Sequence, residues 1–287
     1  MALATGAEIV NADSRQVYRR LDAGTDKPSL GDRALARHHL YDLVEPDQPF
    51  TLAHYLQSAR AVLADIAARE RPALIVGGTG LYVRALERGY APPGVPPDPI
   101  LRRHLEAMSV DELVRLLEER DPQAAARVDR RNPRRLVRAI EVATGGAQPE
   151  RAGTGEVAQF PLVGLTMPRA ELYRRIGSRA AAMWESGWVD EVRRLLAAGY
   201  SPHLPALSAL GYPEVVAYLR GETGLEETLR RIQLAGHRLA RRQNTWFKPN
   251  DPTIEWHDVS TPDGWAGAHQ AAAAHLGQSD VSPELFG

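Results

Sequence analysis

Ala73-Leu74-Ile75-Val76 is an uninterrupted apolar run that stops at Gly77-Gly78-Thr79-Gly80. A helical pattern resumes directly behind it, at Leu81-Tyr82-Val83-Arg84-Ala85-Leu86. Strand, glycine turn and helix in direct succession is the grammar of a parallel α/β sheet. The glycines allow close approach of the backbone, and the turn presents amide donors and one hydroxyl at a helix start, suited to an anion or a substrate. The same four residues also fit a plain tight turn in which Thr79 caps the helix.

The rest of the chain extends this reading. Ala7 to Asp13 reads as a short strand ending in a polar loop, and Leu52 to Arg69 as an amphipathic helix. Prolines 92, 93, 96, 97 and 99 mark a crossing between domains. Ile100 to about Ala143 reads as wholly helical, broken at Asp121-Pro122 and Asn132-Pro133. Gly145 to Gly155 reads as a loop and Phe160 to Met167 as a core strand. One long helix is expected over Pro168 to Ala198, with the proline in its first turn. Helices near Tyr212–Leu219 and Gly224–Trp246 and a short strand at Ile254–His257 follow. The expected division is an α/β catalytic core at 1–92 and 158–262, a helical insertion domain at 93–157, and an uncommitted tail at 263–287.

Composition removes several function classes. There are no cysteines, which excludes a disulfide framework, a thiolate zinc site and a cysteine nucleophile. No stretch approaches the ~18 consecutive apolar residues of a membrane span. The start lacks the cationic and apolar stretches of a signal peptide, so a cytoplasmic protein is expected. Net charge is −1, yet of 35 basic residues only Lys27 and Lys248 are lysines, and the arginines cluster. Arginines 127, 130, 131, 134, 135 and 138 face one acid, Asp129, and Arg230 to Lys248 holds no acid at all. Such segments can form a polyanion path, or simply two solvated helix faces.

Asp13-Ser14-Arg15-Gln16 falls just past a strand end, where open α/β sheets place ligands. A carboxylate there can accept a proton and orient a polar heterocycle, or it can cap a helix. His38-His39 reads as structural or substrate-contacting rather than metal-binding, because adjacent side chains diverge. Within the expected helix, Arg134 and Arg138 share a face, as do Arg131 and Arg135, a spacing that can follow phosphates. Trp246 and Phe247 can stack on bases or fill the core.

Six ordered blocks together resemble the tRNA dimethylallyltransferases. They are Asn11-Ala12-Asp13-Ser14-Arg15-Gln16-Val17-Tyr18 with Gly24-Thr25-Asp26-Lys27-Pro28, His38-His39-Leu40-Tyr41-Asp42, Ile75 to Tyr82, Asn132 to Val142, Leu210-Gly211-Tyr212, and Arg242-Gln243-Asn244-Thr245-Trp246-Phe247. The resemblance implies a P-loop-type, nucleotide-binding α/β core with an inserted helical domain that grips the anticodon stem-loop of tRNA. It implies transfer of a dimethylallyl group from dimethylallyl diphosphate to N6 of the adenosine 3′-adjacent to the anticodon, with Mg²⁺ on the phosphates. The base is flipped out, since a stacked adenosine cannot present its amine to a buried electrophile. On this mapping Asp13 takes the N6 proton, and Thr79 acts beside it at the reacting base. Asp13, Ser14, Arg15, Gln16 and Thr79 contact the tRNA. So do Arg102 and the stretch Arg134, Arg135, Leu136, Val137 and Arg138. A monomer is expected.

Three departures from the family pattern stand out. No G-x-x-x-x-G-K-[ST] loop is present, although relatives carry one roughly 20 residues before the Asp13 strand. The loop's Ser/Thr, the expected Mg²⁺ ligand, is therefore missing. Without the strand leading into it, sheet edges stay unpaired. Two explanations are open: a start codon placed too late, or a catalytically impaired tRNA-binding remnant without a diphosphate site. Ser208 stands where relatives often carry Arg or Gln, and Gly236-His237 where they often carry Thr-Arg. A small-molecule kinase on the same core would need the same absent loop and leaves the Asp13 and Arg134 motifs unexplained.

Overall fold

The structure, a computed structural model, describes residues 1–146 and 160–277. It divides into two compact units, Met1–Glu87 with Ala158–Gly287, and Arg88–Val157. The expected loop from Gly145 onward lies, past Gly146, outside the described residues.

In the first unit, α1 (Ala2–Thr5) closes on Gly6 and leads into β1 (Glu8–Asn11). Next come α2 (Leu30–Leu35), β2 (His38–His39), α3 (Leu52–Ala68), β3 (Ala73–Val76) and α4 (Gly80–Glu87). β1 is central and pairs in parallel with β2 on one side and β3 on the other. The Thr51 hydroxyl caps the start of α3, and Tyr55, Leu56, Ala59, Leu63 and Ile66 form its buried stripe at helical spacing.

Four helices make the second unit: α5 (Pro99–Glu106), α6 (Val110–Arg120), α7 (Pro122–Arg127) and α8 (Pro133–Thr144). Asp98, Ser109, Asp121 and Asn132 cap them in turn, each accepting from backbone amides of the first turn. The breaks at Asp121-Pro122 and Asn132-Pro133 are thus helix starts, with proline in the first turn, where its missing N–H costs nothing. A further break at Ala107–Ser109 divides the stretch expected to run unbroken from Ile100, because Ser109 and Glu112 form a capping box. Leu105, Leu113, Leu117, Leu136, Val137 and Ile140 are the unit's core.

The chain re-enters the first unit through β4 (Leu162–Thr166), α9 (Arg169–Met183), α10 (Val189–Ala197), α11 (Tyr212–Leu219), α12 (Leu225–Trp246), β5 (Ile254–Asp258) and α13 (Pro262–Gly277). Two expectations are corrected here. The long helix from Pro168 is interrupted at Trp184–Trp188 by a widened turn in which Gly187 adopts φ 98°. Pro168 itself is an extended N-cap residue. The segment from 263, expected as an uncommitted tail, is largely α13, which packs on β4 and β5.

β4 and β5 pair in parallel as a separate two-stranded sheet. Among the described residues β3 and β4 each have a strand neighbour on one side only, and Val76 and Leu165 are 45 % and 52 % exposed. The main core joins the two chain segments of this unit. Trp188 and Tyr212 lie against Gly24, and Glu191 accepts from the backbone amides of Asp22 and Ala23 at 2.7 Å each and from the Tyr212 hydroxyl at 2.6 Å.

Glu8 on β1 anchors a buried ionic cluster. Arg69 binds both its oxygens and His39 Nε2 lies 2.7 Å from Oε2, so His39 serves the sheet. The hydrogen bond from Arg69 outweighs burial, and with His39 it lowers the Glu8 carboxyl from 4.5 to about 2. A lowered folded value means the stabilisation is complete above pH 4.5 and is lost as pH falls towards 2. Glu8→Gln is therefore expected to flatten the acid-induced loss of stability across that window in chemical denaturation. An unchanged slope would assign the acid sensitivity elsewhere.

Candidate active site at the ends of β1 and β3

Because β1 and β3 run parallel with Asn11 opposite Val76, both strands deliver their following loops to the same end of the sheet. The loops are knitted by backbone bonds: Ala12 N donates to Val76 O at 2.7 Å, and Thr79 N to Ala12 O at 3.1 Å. Gly77 is required here. A β-carbon on it would lie 2.3 Å from the carbonyl carbon and oxygen of Ala12.

This close approach brings Thr79 onto the Asp13 loop. Its hydroxyl accepts from Ser14 N at 2.9 Å and donates to Ser14 Oγ at 3.3 Å. Asp13 is fixed twice. Asn11 Oδ1 accepts its amide at 2.9 Å, and its own Oδ1 accepts from Arg15 N at 2.7 Å. Among the described residues no donor reaches Asp13 Oδ2. A carboxylate held by one oxygen and open at the other can accept an N–H and then its proton. Tyr55 and Tyr82 stack with centroids 3.8 Å apart, and the Tyr55 hydroxyl donates to Asn11 O. Burial holds the Tyr41 and Tyr82 phenols above their ordinary range, and the nearby Asp13 charge pushes both the same way.

The structure thus gathers Asp13, Ser14 and Thr79 within hydrogen-bond reach of one another or of adjacent backbone. Arg15 and Gln16 lie beside them but hold neighbouring loops. Arg15 Nη1 donates to Pro205 O at 2.6 Å, and Gln16 Nε2 to the carbonyls of Thr25 and Asp26. Lys27 is buried beneath the same loop, bonded to Tyr18 O, Asp22 and Asp42. Sequence reasoning missed Asn11 and Gln243 as positioning groups. Asn11 is fully buried at a strand end and bonds Leu40 O and Asp13 O, while Gln243 Nε2 donates to Gly78 O at 3.2 Å. An amide closing an apolar strand was the available signal for Asn11, since a buried amide demands partners.

Arg102 and the Arg134–Arg138 stretch lie in the helical unit. Arg134 and Arg135 are exposed at the start of α8, and Arg138 is half-buried. Leu136 and Val137 are corrected to core residues: they are 0 % and 4 % exposed, so their side chains cannot reach RNA. Arg131 does not share a helix face with Arg135, because it precedes the Asn132 cap. In α12, Arg230 and Arg231 fork onto Glu227 and hold its carboxyl down at about 2. Arg238, Arg241, Arg242 and Thr245 instead line an open depression. Trp246 is partly exposed and lies against Gly80.

Among the described residues no group of three or more His, Cys, Asp or Glu side chains could hold a metal ion, and no helix is long and apolar enough to cross a membrane.

The family model described as IPP transferase matches residues 16–250. The chain belongs to the IPP transferase family. It is 44 % identical over 272 residues to the tRNA dimethylallyltransferase of Thermomicrobium roseum, covering 92 % of this chain and 82 % of the relative. It is 47 % identical over 260 residues to tRNA dimethylallyltransferase 1 of Citrifermentans bemidjiense, covering 88 % and 83 %. The crystal structure of the tRNA isopentenylpyrophosphate transferase of Bacillus halodurans superposes with a TM-score of 0.69 at 33 % identity, over 96 % of this chain and 90 % of that one. A eukaryotic dimethylallyltransferase acting on tRNA shares the fold, with a TM-score of 0.76 at 21 % identity over 95 % of this chain and 72 % of that one.

As an IPP transferase the chain keeps the parallel α/β core of a P-loop-type fold. Two of its departures from the family pattern have local structural accounts. Gly236 sits where α12 crosses α9, and a β-carbon there would lie 2.6 Å from Ile176 Cγ2. His237 stacks on Tyr173 with centroids 3.7 Å apart. Ser208 Oγ donates to Pro205 O.

Proposed function

We propose that this IPP transferase moves the dimethylallyl group of dimethylallyl diphosphate to N6 of the adenosine 3′-adjacent to the tRNA anticodon. The observation that carries this reading is the Asp13 carboxylate, fixed through Oδ1 with Oδ2 open, on a loop whose next residue, Ser14, is bonded to Thr79. N6 attacks the allylic carbon, the N–C bond forms as the C–O bond to diphosphate breaks, and the N6 proton passes to Asp13 Oδ2. Before attack the same oxygen accepts the N6–H and aims the nitrogen lone pair. Thr79 and Ser14 supply hydroxyls at the rim for the flipped nucleotide. Mg²⁺, where the resemblance implies it, would be held mainly by the diphosphate oxygens and water and would neutralise the departing diphosphate. Action in the cytoplasm and as a monomer belong to the same proposal.

The direct test incubates the protein, translated from its whole reading frame, with unmodified tRNA and dimethylallyl diphosphate and analyses the nucleosides. The expected product is N6-dimethylallyl adenosine. Tight tRNA binding with no product would leave a binding protein instead.

Anticodon stem-loop binding through the helical unit makes a separate prediction. Arg134 is exposed and has no partner among the described residues. Arg134→Met is expected to weaken binding across all tRNA sequences and to flatten the log–log salt dependence by about 0.7–0.9 for each phosphate it no longer neutralises. An unchanged slope would remove Arg134 from the interface.

A further inference from the structure

Glu141 is the least expected group in the helical unit. It sits on α8 with its side chain 1 % exposed, in a unit whose interior is otherwise leucine, isoleucine, valine and alanine. Its Oε2 accepts from Arg102 Nη2 at 2.7 Å and from Arg138 Nη1 at 3.3 Å. Its Oε1 is buried and accepts from no donor among the described residues. A carboxylate so placed is a poor choice for stability, because burying an ion costs more than an imperfect pair returns. Its bonds nonetheless set the geometry of the arginines around it. The geometry it fixes is specific: Arg102 on α5 and Arg138 on α8 are drawn to one oxygen, and Arg138 Nη2 is also tied to Val95 O at 2.9 Å. Both arginine side chains remain partly exposed, at 37 % and 32 %.

We propose that Glu141 is a positioning residue that holds Arg102 and Arg138 as a paired clamp for adjacent phosphates of the RNA backbone. The inference rests on the reading that this unit grips tRNA. Two arginines pinned from behind keep one positive charge in excess over the carboxylate. Their outward N–H groups stay set at a fixed spacing, so less side-chain freedom is lost when phosphates arrive.

The sign of one substitution tests it. Glu141→Gln keeps the volume and removes a negative charge beside a polyanion site. If Glu141 acted only through its charge, this variant would bind RNA more tightly. A positioning role makes it bind an anticodon stem-loop about 10-fold more weakly, as two charge-assisted bonds lose their support. The KM for tRNA should rise with kcat unchanged, and Glu141→Asp should recover part of the affinity. Arg102→Met and Arg138→Met run in parallel in the full-length protein. If these weaken binding while Glu141→Gln tightens it or leaves it unchanged, the inference is overturned. If neither arginine variant changes binding, the underlying RNA-binding reading fails first and takes the inference with it. Should Glu141→Gln not fold, Glu141→Asp decides: wild-type affinity in that variant overturns the clamp.

Discussion

Asp13→Asn is expected to lower turnover by about 10²- to 10⁴-fold, the range for loss of a general base, while tRNA affinity stays within about twofold. The substitution leaves the local architecture intact. Asparagine Oδ1 can still accept from Arg15 N, as Asp13 Oδ1 does at 2.7 Å, and the backbone amide can still donate to Asn11. What changes is the open oxygen. It becomes an NH₂ group that faces the incoming N6 amine with donors against donors and can take no proton. Single-turnover transfer assays beside equilibrium tRNA binding separate the two effects. Product formation at the wild-type rate would remove Asp13 from the chemistry. An affinity loss as large as the rate loss would recast it as a binding group.

Gly77→Ala is expected to cost about 3 kcal/mol or more, beyond ordinary overpacking because the collision is with main chain. The added carbon would stand 2.3 Å from the Ala12 carbonyl, and neither strand end can retreat without breaking the bonds from Ala12 N to Val76 O and from Thr79 N to Ala12 O. Melting should fall by about 6–12 °C. Transfer should be lost with it, since Thr79 and Ser14 no longer meet. Gly31→Ala supplies the contrast: it lies in α2 with only Ser29 Oγ nearby, at 3.5 Å, and should gain a few tenths to about 1 kcal/mol. Equal melting temperatures for wild type and Gly77→Ala would mean that these bonds do not lock the two loops together.

The strand, glycine turn and helix from Ala73 to Glu87 were legible because local pattern and tertiary role coincide there. The helical unit was legible for a related reason. Each Asp-Pro or Asn-Pro pair caps a helix start, and Asp121 also ends the helix before it. The widened turn at Trp184–Trp188 was not, since the amphipathic pattern continues on both sides and one glycine with positive φ carries the whole interruption. Leu136 and Val137 misled for the opposite reason. They lie between arginines in sequence, but the helix turns them by about 100° per residue into the core. At the site, Asp13 and Thr79 are 66 residues apart in the chain, and only the parallel pairing of β1 with β3 brings their loops together. Asn11, Gln243 and Glu141 act through what they hold, and a role of that kind has no signature until the held group is in view.

The last turn of α12 reaches the glycine turn at more than one point. Gln243 donates to Gly78 O, the Trp246 ring lies over Gly80, and Arg84 of α4 donates to Trp246 O while pairing with Asp251. One to two turns earlier the same helix presents Arg238, Arg241 and Arg242. A helix is stiff over that distance, so it behaves as a lever with cationic grips along its shaft and its tip wedged under the reactive turn. Its contacts fall on Gly78 and Gly80, the residues that flank Thr79 in the turn. The position of the turn that carries Thr79 is therefore set partly by a helix from the far end of the chain.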